Sequence, residues 1–170
     1  MKKLIFFIYL IPFLFNIPVG LAYNNTSSMP EGWYLLFIAQ NIKIGDTVLA
    51  CAPFNEYSIL GIKRDYIGRV KNGKCPGGTK YLVKKVAAVP YETVILKPAG
   101  ITVDGKFTPY KVVSHSPLPT DQPIRHYPYG KYDMDGYFLI STFNKLSYDS
   151  RYFGPVKRIA YKALYIGKKL

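Results

Sequence analysis

Residues 79–90 read TKYLVKKVAAVP, a short apolar run with two adjacent lysines in its middle and a proline at its end. A strand alternates faces with period two, so Lys84 falls in line with Leu82, Val86 and Ala88, and Lys85 with Val83 and Ala87. If the strand is half buried, one of the two lysines enters an apolar face. Burial disfavours the ammonium form. An amine that is neutral at pH 7 to 8 needs its pKa lowered by about two units from about 10.4, roughly 3 kcal/mol of desolvation. Such an amine can take a proton from a serine hydroxyl. Taken alone, the run reads more simply as two solvated strand lysines; a partner serine changes that reading.

Working outward, the same strand signature recurs in YLLFIA (34–39), DTVLACA (46–52), ETVILK (92–97), GYFLIST (136–142) and RIAYKALYIG (158–167). All are short, β-branched or aromatic, and bounded by Gly, Pro or Asp. TVDGKF carries an Asp104-Gly105 hairpin turn. No stretch after residue 30 scans as an amphipathic helix, so the expected fold is mainly β, a folded-over antiparallel sheet or barrel. From Lys106 to Gly136 prolines crowd among Tyr, His and Lys with little alternation, which reads as a long surface excursion. The 170 residues have room for one domain with a proper core.

Residues 1–22, MKKLIFFIYLIPFLFNIPVGLA, read as an export segment: two lysines, an apolar run, then small residues. Gly20 and Ala22 suit cleavage after Ala22, while the length also suits a retained membrane anchor. Either way the domain, residues 23–170, is expected beyond the membrane, with Lys2 and Lys3 on the cytoplasmic side. The net charge is +13; loss of Lys2 and Lys3 leaves 21 basic and 10 acidic residues, or +11. For an exported domain that charge points to the anionic lipid surface rather than to nucleic acid. Cys51 and Cys75, in an oxidising compartment and without a C-x-x-C pattern, are expected to form a structural disulfide.

Other chemistries fit poorly. GRVKNGKC (68–75) approaches a phosphate-binding loop, but it ends in Cys75 where a hydroxyl is needed, and Pro76 follows where a helix must start. His115 and His126 lie in the proline-rich excursion, away from any metal-ligand motif, and read as exposed loop histidines. A triad of Ser28, His126 and Asp149 lacks the G-x-S-x-G elbow. No cofactor or metal pattern is present.

Three blocks, SSMPEGWY (27–34), YLVKKVAAVP (81–90) and SYDSRYFGPV (147–156), occur in the order and rough spacing of the signal peptidase I superfamily. The chain resembles most its short conjugative branch, the TraF-type peptidases that mature pilin in plasmid transfer, and the resemblance runs from Asn24 to Gly167. It implies a signal-peptidase-type β fold and a Ser-Lys serine endopeptidase. The family nucleophile is the serine before Met, hence Ser28, and Pro30 favours extended geometry at Met29. The family base is a lysine followed six residues later by proline; Pro90 selects Lys84, which periodicity could not do. Ser147 would orient the lysine amine, Asp149 would pair with Arg151 or a neighbour, and Thr26 would help the Ser28 N–H stabilise the oxyanion.

General signal peptidases carry Gly-Asp-Asn-Arg before the last block and Pro-Thr after the nucleophile. This chain has STFNKLSYDS and PEGWY instead. The resemblance therefore implies a pilin or other exported precursor as substrate, cut or cyclised. A general signal peptidase and a non-catalytic envelope scaffold for pilus assembly are the competing readings. Trp33 and Tyr34, close to Ser28, are candidates for contact with the lipid interface as well as for the core.

Overall fold

The computed structural model describes residues 17–108, 110 and 124–169. Its strands are β1 (Gly20–Asn24), β2 (Gly32–Ile38), β3 (Thr47–Ala50), β4 (Leu82–Ala88), β5 (Thr93–Lys97), β6 (Gly100–Val103), β7 (Lys106–Thr108), β8 (Gly130–Asp133), β9 (Phe138–Ile140) and β10 (Ile159–Gly167). They form a six-stranded sheet in the order β1-β2-β10-β3-β4-β9 and a four-stranded sheet in the order β7-β6-β5-β8. Every pairing between these strands is antiparallel. The fold is mainly β and antiparallel, as the alternation required. At Asp104-Gly105 both residues take positive φ, 42° and 78°, and Val103 pairs with Lys106 across the two-residue turn.

The sheets meet over Ala88, Phe138 and Ile140 of the large sheet and Val94, Leu96, Ile101 and Val103 of the small one. A second core, around Val48, Val86, Leu139, Tyr148, Tyr152 and Phe153, lies under the chain's helical parts. A third gathers Met29, Tyr34, Leu36, Leu49 and Val83, and so ties the residue after Ser28 to the residue before Lys84.

Two expectations need correction. Glu56–Lys63 is a helix, capped by Asn55, whose Oδ1 accepts from the Ser58 N–H at 2.9 Å. Its buried residues are Ser58 and Gly61. The Tyr148 ring presses so close that a Cβ on Gly61 would lie 2.6 Å from it. A helix that buries small residues lacks the apolar stripe that periodicity detects. The 106–136 stretch is not wholly an excursion: β7 opens it, β8 lies near its end, and Ile124 and Met134 are buried. Residues 109 and 111–123, with His115, lie outside the described residues. Of the two readings left open for Tyr34, the structure takes the core, where it is 1% exposed.

Residues 1–16 of the export segment also lie outside the described residues. Its last three, Gly20–Ala22, pair in register with Leu36–Tyr34 and are part of β1. Cys51 and Cys75 are bridged, with Cα atoms 5.3 Å apart. Closing a loop of this length restricts the unfolded chain by an amount worth about 3 kcal/mol.

Candidate active site

Asn24, the last residue of β1, holds the turn that carries Ser28. Its Nδ2 donates to the carbonyls of Thr26 (3.0 Å), Met29 (3.0 Å) and Pro30 (3.1 Å). That fixes the amide's orientation, so Oδ1 faces Thr26 and accepts from its N–H (3.2 Å) and its hydroxyl (2.8 Å). Thr26 has one hydroxyl proton and gives it to Asn24. In the 3.0 Å contact between the two hydroxyls, Ser28 is therefore the donor and Thr26 the acceptor. The Tyr34 hydroxyl donates to the Pro30 carbonyl at 2.7 Å from below, and Met29 is sunk in the third core. The turn is thus pinned at both ends.

Removing the Asn24 amide takes its donor from the Thr26 and Met29 carbonyls, while that of Pro30 keeps the Tyr34 hydroxyl. Asn24→Ala should destabilise the protein by about 1–3 kcal/mol in urea unfolding. A loss below about 0.5 kcal/mol, the range of ordinary surface substitutions, would show that the turn holds itself.

Of the two adjacent lysines on β4, Lys85 turns out and donates to the Gly45 carbonyl at 2.9 Å. Lys84 enters the interior and is 2% exposed. Burial pulls its pKa down to about 8, with the Asp149 carboxylate opposing the shift and the Arg151 guanidinium reinforcing it. With that pKa, about a tenth of the amine is neutral at pH 7 and half at about pH 8.

Behind the lysine lies a buried ion pair. Arg151 donates to Asp149 through Nε and Nη2, both at 2.7 Å, and the two side chains are 1% and 0% exposed. The Asp149 carboxylate also accepts from the backbone N–H groups of Arg151 (3.2 Å) and Ser141 (2.9 Å), and it caps the one-turn helix Ser150–Phe153. Arg151 Nη2 reaches the Ser147 carbonyl at 3.2 Å. Ser141 in turn gives its hydroxyl proton to the Ser28 carbonyl and accepts from the N–H of Asn144 (2.9 Å). One charge pair therefore positions the segments carrying Ser147 and Ser141, and through Ser141 the backbone of Ser28.

Thr26, Ser28, Lys84 and Ser147 line one groove of about 1020 Å³. Asp149 and Arg151 support it from the interior, and the Cys51–Cys75 bridge anchors the far wall. Among the described residues, the buried Ser147 hydroxyl makes no hydrogen bond to Lys84 or to any other group. His126 is not part of the groove; its Nδ1 lies 2.6 Å from the Tyr127 carbonyl and its ring rests on Tyr129. Asn24, Ser141 and Asn144, whose Nδ2 donates to Ser27 Oγ at 3.1 Å, went unnoticed in the sequence. Asn-Asn-Thr after a strand is a turn signal that points to Asn24; nothing in GYFLIST marks Ser141.

Ser28 and the buried Lys84 of lowered pKa thus open into one groove of an antiparallel β fold. Residues 2–165 match the family described as "Signal peptidase, peptidase S26", and the chain belongs to that family. It is similar to the plasmid transfer protein TraF of Escherichia coli, 30% identical over 141 residues, which cover 82% of this chain and 77% of that protein. It is also similar to the probable conjugal transfer protein TraF of Sinorhizobium fredii (34% over 140 residues; 81% and 70%). The conjugal transfer protein TraF of Agrobacterium tumefaciens is another relative (34% over 147 residues; 81% and 75%).

Proposed function

We propose that the protein is a serine endopeptidase with a Ser28–Lys84 dyad, which processes an exported pilin precursor in conjugative transfer at the outer face of the cytoplasmic membrane. The observation that carries this is the burial of Lys84 in the groove that Ser28 also lines, with its amine held to about pKa 8. The neutral amine takes the Ser28 proton as Oγ attacks a peptide carbonyl, and the ammonium so formed gives that proton to the leaving amine. An ester on Ser28 remains. Lys84 then activates the acceptor: water for hydrolysis, or the substrate's own amino end for ring closure. The developing oxyanion is met by the Ser28 N–H, joined by the Thr26 hydroxyl once it turns from Asn24. The free valences of Ser147 Oγ are available to the lysine amine as it loses and regains its proton.

The substrate would lie extended along the groove, and the membrane surface is the second partner. β1, β2 and β10 present Leu21, Leu35 and Leu164 side by side in register, with Tyr23 against Trp33. Leu21 is 51% and Leu164 56% exposed. An apolar face of this kind on a basic domain suits the lipid interface.

The test is Ser28→Ala, co-expressed with a pilin precursor and read by intact mass. Uncut precursor should accumulate, whereas a non-catalytic scaffold would tolerate the change. Unchanged processing would refute the peptidase. Efficient cleavage of a panel of ordinary exported precursors by the wild type would move the assignment to a general signal peptidase.

A further inference from the structure

The stretch Gly68–Cys75, which resembles a phosphate loop only superficially, lines the groove through Gly68 and Val70 to Lys74 and forms one wall of it. It is knitted to the segment that follows it. Val70 N donates to the Gly78 carbonyl (3.1 Å), Gly73 N to that of Val70 (3.0 Å), and Lys80 N to that of Gly68 (2.9 Å). Arg69 and Cys75 each bridge to Thr79, and the disulfide ties the wall to the end of β3. The strands pass so closely that a Cβ on Gly73 would lie 2.4 Å from the Gly78 carbonyl oxygen. The wall is therefore a fixed frame.

Its charge is one-sided. Lys71, Lys74 and Lys80 all line the groove, and none has an ion-pair partner among the described residues. Asp65 is the one carboxylate that lines it among the described residues. A concave surface lined by one sign of charge focuses its field on whatever enters. Since Ser28 and Lys84 line the same groove, a polypeptide held at the nucleophile runs past the three ammonium groups.

We infer that the wall formed by Gly68–Cys75 and Lys80 is a substrate subsite that reads acidic side chains flanking the scissile bond. The inference rests on the peptidase reading above and deepens it. It names the substrate class as extended polypeptides with aspartate or glutamate a few residues from the cut. Lys71, Lys74 and Lys80 are exposed, so their charges can be reversed without disturbing the core.

The experiment uses the full-length protein in detergent. Fluorescent decapeptides with alanine at the positions one and three residues before the bond would carry paired Asp, Asn or Lys on one flank. Their kcat/KM is compared between wild type and the triple variant Lys71→Glu, Lys74→Glu, Lys80→Glu. The wild type should prefer the Asp peptide to the Lys peptide by about tenfold or more at low salt, and the preference should shrink as salt rises. The triple variant should invert the order. Equal rates for the three peptides, or an order that the triple variant leaves unchanged, overturn the inference.

Binding of the same peptides to Ser28→Ala protein, read by anisotropy, separates the two claims. Selective binding of the Asp peptide without wild-type cleavage of any peptide would uphold the wall and overturn the peptidase. Unselective binding overturns the wall. Finally, vesicles containing phosphatidylglycerol identify the other source of anions. If the triple variant loses vesicle binding while peptide preference stays, the lysines serve the lipid surface and the inference fails.

Discussion

Lys84→Met is expected to abolish turnover and at the same time to stabilise the fold. The two effects share one cause. A general base contributes on the order of 10²- to 10⁴-fold, and here it also activates the nucleophile, so loss towards the upper end of that range is expected in kcat with the substrate still bound. The stability effect follows from proton linkage. The folded pKa of about 8 lies below the 10.5 of an ordinary lysine. Between those values the unfolded chain binds the proton and the folded chain does not, so folding becomes more favourable as pH rises from about 8 to 10.5. Below about 8 both states are protonated, and the folded state carries the full cost of a buried ammonium, roughly 3 kcal/mol. Lys84→Met removes that cost. Urea unfolding at pH 7 should show a gain of up to roughly 3 kcal/mol that fades as pH approaches 10.5. A variant that is both inactive and less stable at pH 7 would mean that the lysine is a structural ion rather than a strained base.

The second large effect concerns the buried ion pair. Asp149→Asn keeps the shape of the side chain but leaves the Arg151 guanidinium, 1% exposed, without its counter-charge. Breaking such a pair by removing one partner costs about 3–5 kcal/mol. The carboxylate also accepts the Ser141 N–H and opposes the downward shift of Lys84. The neutral side chain should therefore lower the lysine pKa further and loosen the Ser141 contact to the Ser28 carbonyl. The expected result is a protein destabilised by about 3–5 kcal/mol whose residual activity has its pH midpoint shifted towards acid. Asp149→Leu combined with Arg151→Met, which removes both charges, should recover much of the stability without restoring full activity. Equal stability of Asp149→Asn and wild type would show that the pair is solvated.

The sequence displayed the strands because burial on one face forces the alternation that β2, β4 and β5 carry, while β3, β9 and β10 show as short β-branched or aromatic runs between Gly, Pro and Asp. It concealed β1, since Gly20–Asn24 closes an apolar segment whose overall composition speaks of export. It concealed the helix Glu56–Lys63 because Ser58 and Gly61 form the buried face. At the groove, alternation placed Lys84 and Lys85 on opposite faces, and only the likeness to the signal peptidase blocks indicated that one of them is buried and which. The Ser141 contact to Ser28 spans 113 positions of chain. No local pattern encodes such a contact; it exists because β9 and the turn after β1 are brought together by the fold. The direction of the Ser28 proton is a further step removed, since it follows from three carbonyls that fix the Asn24 amide.

That direction bears on how the resting protein is restrained. With the Ser28 proton committed to Thr26 and the Thr26 proton to Asn24, the Ser28 hydroxyl does not give its proton to Lys84. In the mechanism proposed above, substrate entering the groove would draw Thr26 towards the oxyanion and release Ser28 to turn its proton to Lys84.

What matters most is the charge state of one amine. The ¹³C-labelled ε-methylene of Lys84, identified by its absence in Lys84→Met, can be titrated by NMR in the folded protein. A midpoint near pH 8, well apart from the other lysines, is the predicted result. A midpoint at about 10.4, the value of a solvated lysine, would contradict the Ser28–Lys84 mechanism.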